Sequence, residues 1–248
     1  MNRREMIKTA GMAAVGATVL GVPMTTMAAD GAPTQKKKLM VIGAHPDDPE
    51  TIAGGVMCLF TQAGHEVVCV YLTRGEAGIA GMSHSEAAAV RVKECEAACA
   101  VTGARYIFMD QIDGNTEVNL QRYKEMREMI ERENPDIVIT HWPIDSHRDH
   151  AACGMLVLDA WRRLGRKFKL YYAEAMSGDQ SQMFHPTTWV NIGPVVEQKH
   201  KACYCHVSQH MDDLYSGWHE HMERFRGIEC RCKYAEAFAL HTTAEEIL

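Results

Sequence analysis

The stretch Leu39-Met40-Val41-Ile42-Gly43-Ala44-His45-Pro46-Asp47-Asp48-Pro49-Glu50 decides the fold. Its first half is a short, continuous apolar run, the pattern of a strand buried on both faces. Its second half packs a histidine and two carboxylates into four residues, directly at that strand's carboxyl end. Pro46 stiffens the turn, and Pro49 suits the first turn of a following helix. Apolar residues at helical spacing over 51–63, stopped by Gly64, supply that helix. An acidic helix cap accounts for one aspartate. It accounts neither for His45 nor for two like charges held side by side.

The same alternation continues downstream. Residues 39–43, 66–72, 105–109, 136–140 and 169–173 read as strands, and 85–102, 119–133 and 150–164 as further helices. Strands alternating with helices mean βαβ units and a mostly parallel sheet. The expected fold class is α/β, Rossmann-like and doubly wound, with strand order 3-2-1-4-5. Past residue 174 the pattern loosens into a strand-like 188–192 and helical 195–211 and 213–225. This is expected to form a C-terminal α/β extension, so that residues 30–248 make one domain with its core at about 38–174.

In such a sheet the ligand crevice lies beyond the carboxyl ends of the strands, where the first and fourth become neighbours. A second chemical cluster, Ser146-His147-Arg148-Asp149-His150, follows the fourth strand. Paired histidines alone are usually surface residues. Two such clusters converging on one crevice say more. One histidine and one carboxylate from the first loop plus a histidine from the second make a three-ligand N/O zinc site with an open position, as catalytic zinc requires. An unliganded aspartate beside it can take a proton from water.

These residues resemble the signature of the zinc-dependent PIG-L (LmbE-like) N-acetylsugar deacetylases. The paired motifs are AHPDDPE after the first strand and HRDH after the fourth. Supporting matches are Thr73-Arg74-Gly75-Glu76-Ala77-Gly78, Arg91-x-x-Glu94, His206-x-Ser208-Gln209 and Tyr234-Ala235-Glu236-Ala237-Phe238. The resemblance implies that His45, Asp48 and His150 bind one Zn2+, or another divalent ion. It implies Asp47 as the general base and His147 as the donor to the oxyanion, with Asp149 orienting the His147 ring and favouring its charged form. Arg91 and Glu76 are implied to face the substrate; for Arg91 the alternative is a helix-face ion pair with Glu94. Some relatives carry a tyrosine just before HxDH, where this chain has Asp145 and Ser146. His141, Trp142 and His185 are further pocket candidates, whereas the histidines at 200, 210, 219 and 221 read as helix surface.

Residues 1–29 read as a twin-arginine export signal, which places the protein in the periplasm or outside the cell. Arg3 and Arg4 precede an apolar run too short to span a membrane, followed by small residues. Without that segment, 23 basic residues face 31 acidic ones in place of the whole chain's 26 and 32. That balance argues against a nucleic-acid surface and suits a neutral sugar or glycan substrate. The nine cysteines lack the density of a disulfide scaffold. Cys203, Cys205, Cys230 and Cys232 lack zinc-ribbon spacing and are expected to pack. The expected function is acetyl removal from an N-acetylglucosamine-type substrate. The alternatives are a non-catalytic glycan-binding protein on the same fold and a nucleotide-binding enzyme; no phosphate-cradling G-x-G-x-x-G follows the first strand. Oligomeric state is silent at this level.

Overall fold

A computed structural model describes residues 18–23 and 35–242. Most of the expected export segment lies outside the described residues. Its described part, Thr18–Val19 and Val22–Pro23, pairs antiparallel, with Val19, Leu20 and Val22 buried in the core. Among the described residues no helix is long and apolar enough to cross a membrane.

The α/β core runs β1 (Lys38–Gly43), α1 (Asp48–Gln62), β2 (Glu66–Tyr71), α2 (His84–Thr102), β3 (Arg105–Phe108), α3 (Leu120–Glu133), β4 (Ile137–His141), α4 (Arg148–Arg163) and β5 (Lys169–Ala173). In the sheet these five strands lie in the order β3-β2-β1-β4-β5, all parallel. Leu39, Met40, Val41 and Ile42 are fully buried, because helices cover both faces of this central strand. Leu39 and Val41 face one apolar cluster, Met40 and Ile42 the other. Ile42 pairs with Thr140, so the loops leaving β1 and β4 emerge side by side.

The C-terminal part continues with β6 (Thr188–Asn191), α5 (Val196–Cys203), α6 (Met211–Leu214), α7 (Glu220–Cys230) and β7 (Ala235–Leu240). Three departures from the sequence reading occur here. The helical stretch over 195–211 ends as an α-helix at Cys203, continues as a short 3-10 turn at Val207–Gln209 and restarts at Met211. The second, over 213–225, is a π-turn at Tyr215–His219 leading into α7. The strand β7 is not expected from the sequence, since its alanines and glutamate favour helix. It becomes a strand by pairing antiparallel with β5 on one side and β6 on the other.

β7 also repairs a break in α1. Ala53 has non-helical torsions (φ −148°, ψ 16°), so the second half of α1 starts with exposed amide donors. The buried Glu236 carboxylate accepts from Gly55 N–H at 2.8 Å and Val56 N–H at 2.9 Å. It also pairs with fully buried Lys199 at 2.8 Å, whose other partner is Glu223 at 2.9 Å. This is a helix cap supplied from a distant strand, and it steadies the start of the second half of α1. Glu236→Ala is therefore expected to cost about 3 kcal/mol in urea unfolding, because it strips a cap and leaves Lys199 half-paired. An unchanged unfolding midpoint would contradict this role.

Candidate active site

Asp48 sits in the first turn of α1, and its two oxygens have different jobs. Oδ2 accepts from the backbone N–H groups of Ala44 (2.9 Å) and His45 (2.7 Å), which locks the carboxylate under the end of β1. Oδ1 is directed at His150 Nε2, 3.4 Å away. Burial would raise this carboxyl's pKa. The neighbouring His150 and His141 outweigh it and hold the group well below the usual carboxylate range.

His45 is oriented from its far side. Its Nε2 lies 3.2 Å from both Asp113 Oδ1 and Asp149 Oδ2, leaving Nδ1 beside Asp48 Oδ2 at 3.3 Å. Asp149 is itself fixed by Gly114 N–H and the Thr116 hydroxyl, each at 2.7 Å. Its carboxylate thus orients His45 and not, as the resemblance implied, the ring of His147. The reason is helical position. Asp149 follows the cap residue of α4 by two places and turns toward the loop after β3, away from His147. His150 has an equivalent support, with Nδ1 3.3 Å from Asp145 Oδ1. Asp145, which stands where some relatives have tyrosine, also accepts from His147 N–H and the Ser181 hydroxyl at 2.8 Å each.

His45, Asp48 and His150 are thus brought together, each buried and each held by groups outside the trio. Two imidazoles and a carboxylate with carboxylates behind the imidazoles are the donor set of a zinc-type site. Two further histidines border it. His141 stacks on His150 with ring centroids 4.0 Å apart and has Nε2 3.1 Å from Asp48 Oδ2. His147 Nδ1 accepts from Asp149 N–H at 3.3 Å, which puts the proton of the neutral ring on Nε2. Burial, together with the charges of His150 and His45, pushes the His147 pKa down. Its potential ligand atom lies within 4.8 Å of those of His45 and His150.

Asp47, the cap residue of α1, is held at φ 115°, a conformation that costs a non-glycine residue on the order of 1–3 kcal/mol. Arg91 holds it there. Its Nη2 lies 2.9 Å from Asp47 Oδ2 and also donates to the Pro46 carbonyl. Burial raises the Asp47 carboxyl and Arg91 pulls it back down, leaving it above the ordinary aspartate value. Arg91 lines the cavity but pairs with Asp47. Glu94, its expected helix-face partner, instead accepts from Ser208 N–H and hydroxyl at 2.7 Å each. The loop Thr73–Gly78 wraps this guanidinium; a side chain at Gly78 would strike it.

Glu76 does not reach the cavity. Its Oε2 accepts from Arg74 and Asp113 N–H at 3.2 Å each, so it staples the loop after β2 to the loop after β3. His219 is buried in place of lying on a helix surface, and it lines the cavity. His185 is exposed, and Trp142 donates to the Gln182 carbonyl. The HxSQ motif braces the site, with His206 Nε2 3.5 Å from Glu50 and Gln209, which also lines the cavity, donating to the Gly78 carbonyl. Cys203 takes a hydrogen bond from Tyr215, while Cys230 and Cys232 have sulfurs 3.4 Å apart. Among the described residues these cysteines form no joint metal group.

These groups open on a cavity of about 500 Å³. The N-termini of α1 and α4 both point into it, which favours negative charge there. Asp113, Thr116 and Asp145 escape the sequence reading because polar loop residues are common and nothing local shows which histidine or carboxylate they will face. The available signal is their place after the carboxyl ends of β3 and β4.

The chain is similar to several known proteins. The chain is 29% identical over 201 residues to diacetylchitobiose deacetylase of Thermococcus kodakarensis, covering 75% of each chain. It is 25% identical over 203 residues to 4-oxalmesaconate hydratase of Pseudomonas putida, covering 74% of this chain and 78% of that one. The solved structure of N,N'-diacetylchitobiose deacetylase from Pyrococcus horikoshii superposes with a TM-score of 0.73 at 25% identity, covering 83% of this chain and 84% of that chain. Residues 40–161 match PIG-L, the GlcNAc-PI de-N-acetylase family. With both histidine-aspartate loops inside the matched span, the chain belongs to the PIG-L family.

Proposed function

We propose that the protein is an exported, metal-dependent deacetylase that hydrolyses the acetamide of an N-acetylglucosamine-type sugar to acetate and a primary amine. The observation that carries this reading is Asp47, a strained, partly buried carboxylate pinned by Arg91 beside His45, Asp48 and His150. A zinc or similar divalent ion held by those three would supply Lewis-acid polarisation of the amide and the attacking water. Around it this chain's own residues divide the proton work. Asp47 takes a proton from the water as its oxygen attacks the carbonyl carbon, then delivers it to the nitrogen as the C–N bond breaks. His147 offers Nε2–H to the carbonyl oxygen as charge gathers there, and the two helix N-termini add to that stabilisation.

Asp113 and Asp149 keep His45 in one orientation, and Asp145 does the same for His150. The presence of the whole set counts against a non-catalytic binder. Export rests on Arg3 and Arg4 with the short apolar run behind them.

Three outcomes follow. Asp47→Asn lowers kcat on N-acetylglucosamine substrates by about 10²–10⁴-fold without loss of bound metal. Wild-type turnover by this variant, or hydration of 4-oxalmesaconate by the native enzyme in place of deacetylation, contradicts the reading. Asp149→Ala weakens metal affinity by about 10–100-fold in competition with a chelator. Unchanged affinity removes its role behind His45. Replacement of Arg3 and Arg4 by lysine leaves full-length protein in the cytoplasm in cell fractionation; export at the native level refutes the signal.

A further inference from the structure

The deacetylase reading leaves open what the sugar carries at its far end, and the cavity wall bears on this. We infer that the sugar's aglycone is uncharged and rests its apolar surface on a wall made by Ile52, Met176, Met211 and Leu214. This inference rests on the reading above and extends it to the substrate class.

The wall comes from separate elements. Ile52 belongs to α1, Met176 follows β5, and Met211 and Leu214 form α6 in the C-terminal extension. Methionine adapts to irregular apolar shapes, which suits a substituent that differs from a second sugar ring. No tryptophan, tyrosine or phenylalanine lines the cavity among the described residues, so the stacking platform that a glycan chain would use is missing.

Charge gives an independent argument. Among the described lining residues the one lysine or arginine is Arg91, which is 2% exposed and paired with Asp47. Asp113 adds a carboxylate to the cavity lining, beside His45. His219 does not supply a cation either. Burial and the nearby Lys199 charge push its pKa down to about 4, and its ring stacks on Tyr215 at 5.0 Å. A phosphate or carboxylate resting on Ile52, Met176, Met211 and Leu214 would be desolvated against side chains that offer it neither charge nor a hydrogen bond. Hydroxyl groups are served by the amides of Gln180 and Gln209, both of which line the cavity.

The test compares three probes, the methyl and n-butyl glycosides of N-acetylglucosamine and N-acetylglucosamine 1-phosphate. Each is measured for turnover by the zinc-loaded enzyme and for binding to zinc-loaded Asp47→Asn. The n-butyl glycoside is expected to exceed the phosphate at least 10-fold in both kcat/KM and affinity, and to exceed the methyl glycoside. Leu214→Lys should shift the phosphate-to-butyl ratio about 10-fold toward phosphate. Equal or better use of the phosphate by the native protein overturns the inference, as does binding of none of the three. If the butyl preference is found in binding but no amine is released, the pocket assignment stands and the deacetylase reading falls. Deacetylation of all three probes without preference upholds the deacetylase reading and overturns the pocket assignment.

Discussion

The structure depends on one carboxylate held by two backbone amides. Asp48 Oδ2 accepts from Ala44 and His45 N–H just where β1 ends and α1 begins. That contact turns the chain sharply, frees Oδ1 for the crevice, and sets the register of His45 and Asp47 on either side. It is possible only because β1 is central, covered on both faces and paired with β4, whose own loop brings His147 and His150 alongside. Gly43 is required at the same turn, since a Cβ there would collide with Asp48 and Pro49. Fold and site are thus joined at a single corner.

Around that corner the protein concentrates buried charge, an arrangement whose desolvation cost is offset only when every group has partners. Asp47 has Arg91. His45 has Asp113 and Asp149, and His150 has Asp145. The C-terminal extension contributes to the same end, because Glu236 caps the broken α1 while Ser208 and Gln209 tie the extension to α2 and to the loop after β2. Such an extension is support for the catalytic corner as well as a wall of the cavity. A strained Asp47 is tolerable in this setting, since the surrounding contacts leave it no relaxed alternative.

Much of this is legible in the sequence, and the limits have physical causes. The apolar runs of β1, β2 and β4 announce buried parallel strands because their side chains have nowhere polar to go. His45, Asp47, Asp48, His147 and His150 stand out because two clusters of like residue types fall at strand ends. Asp113 and Asp145 carry no such local signature; their roles exist only once β3 and β4 bring their loops together. Asp149 can be found but its partner cannot, since a residue's direction on a helix start depends on the cap geometry. His219 looks like surface because it opens the polar run His219-Glu220-His221, and the π-turn that buries it leaves no periodic trace. β7 is hidden for the opposite reason, as its helix-favouring residues are overruled by the ladders on both sides.

The most direct measurement of the central claim is the position of bound zinc in a crystal of the zinc-loaded protein, located by anomalous scattering at the zinc edge. The account predicts one strong peak within about 2.0–2.2 Å of His45 Nδ1, Asp48 Oδ1 and His150 Nε2, with Asp47 beside it and unligated. The fully buried group Glu50, Cys69 and Cys99 is an independent candidate for holding a metal ion. A peak there alone, or none between the β1 and β4 loops, would contradict the account.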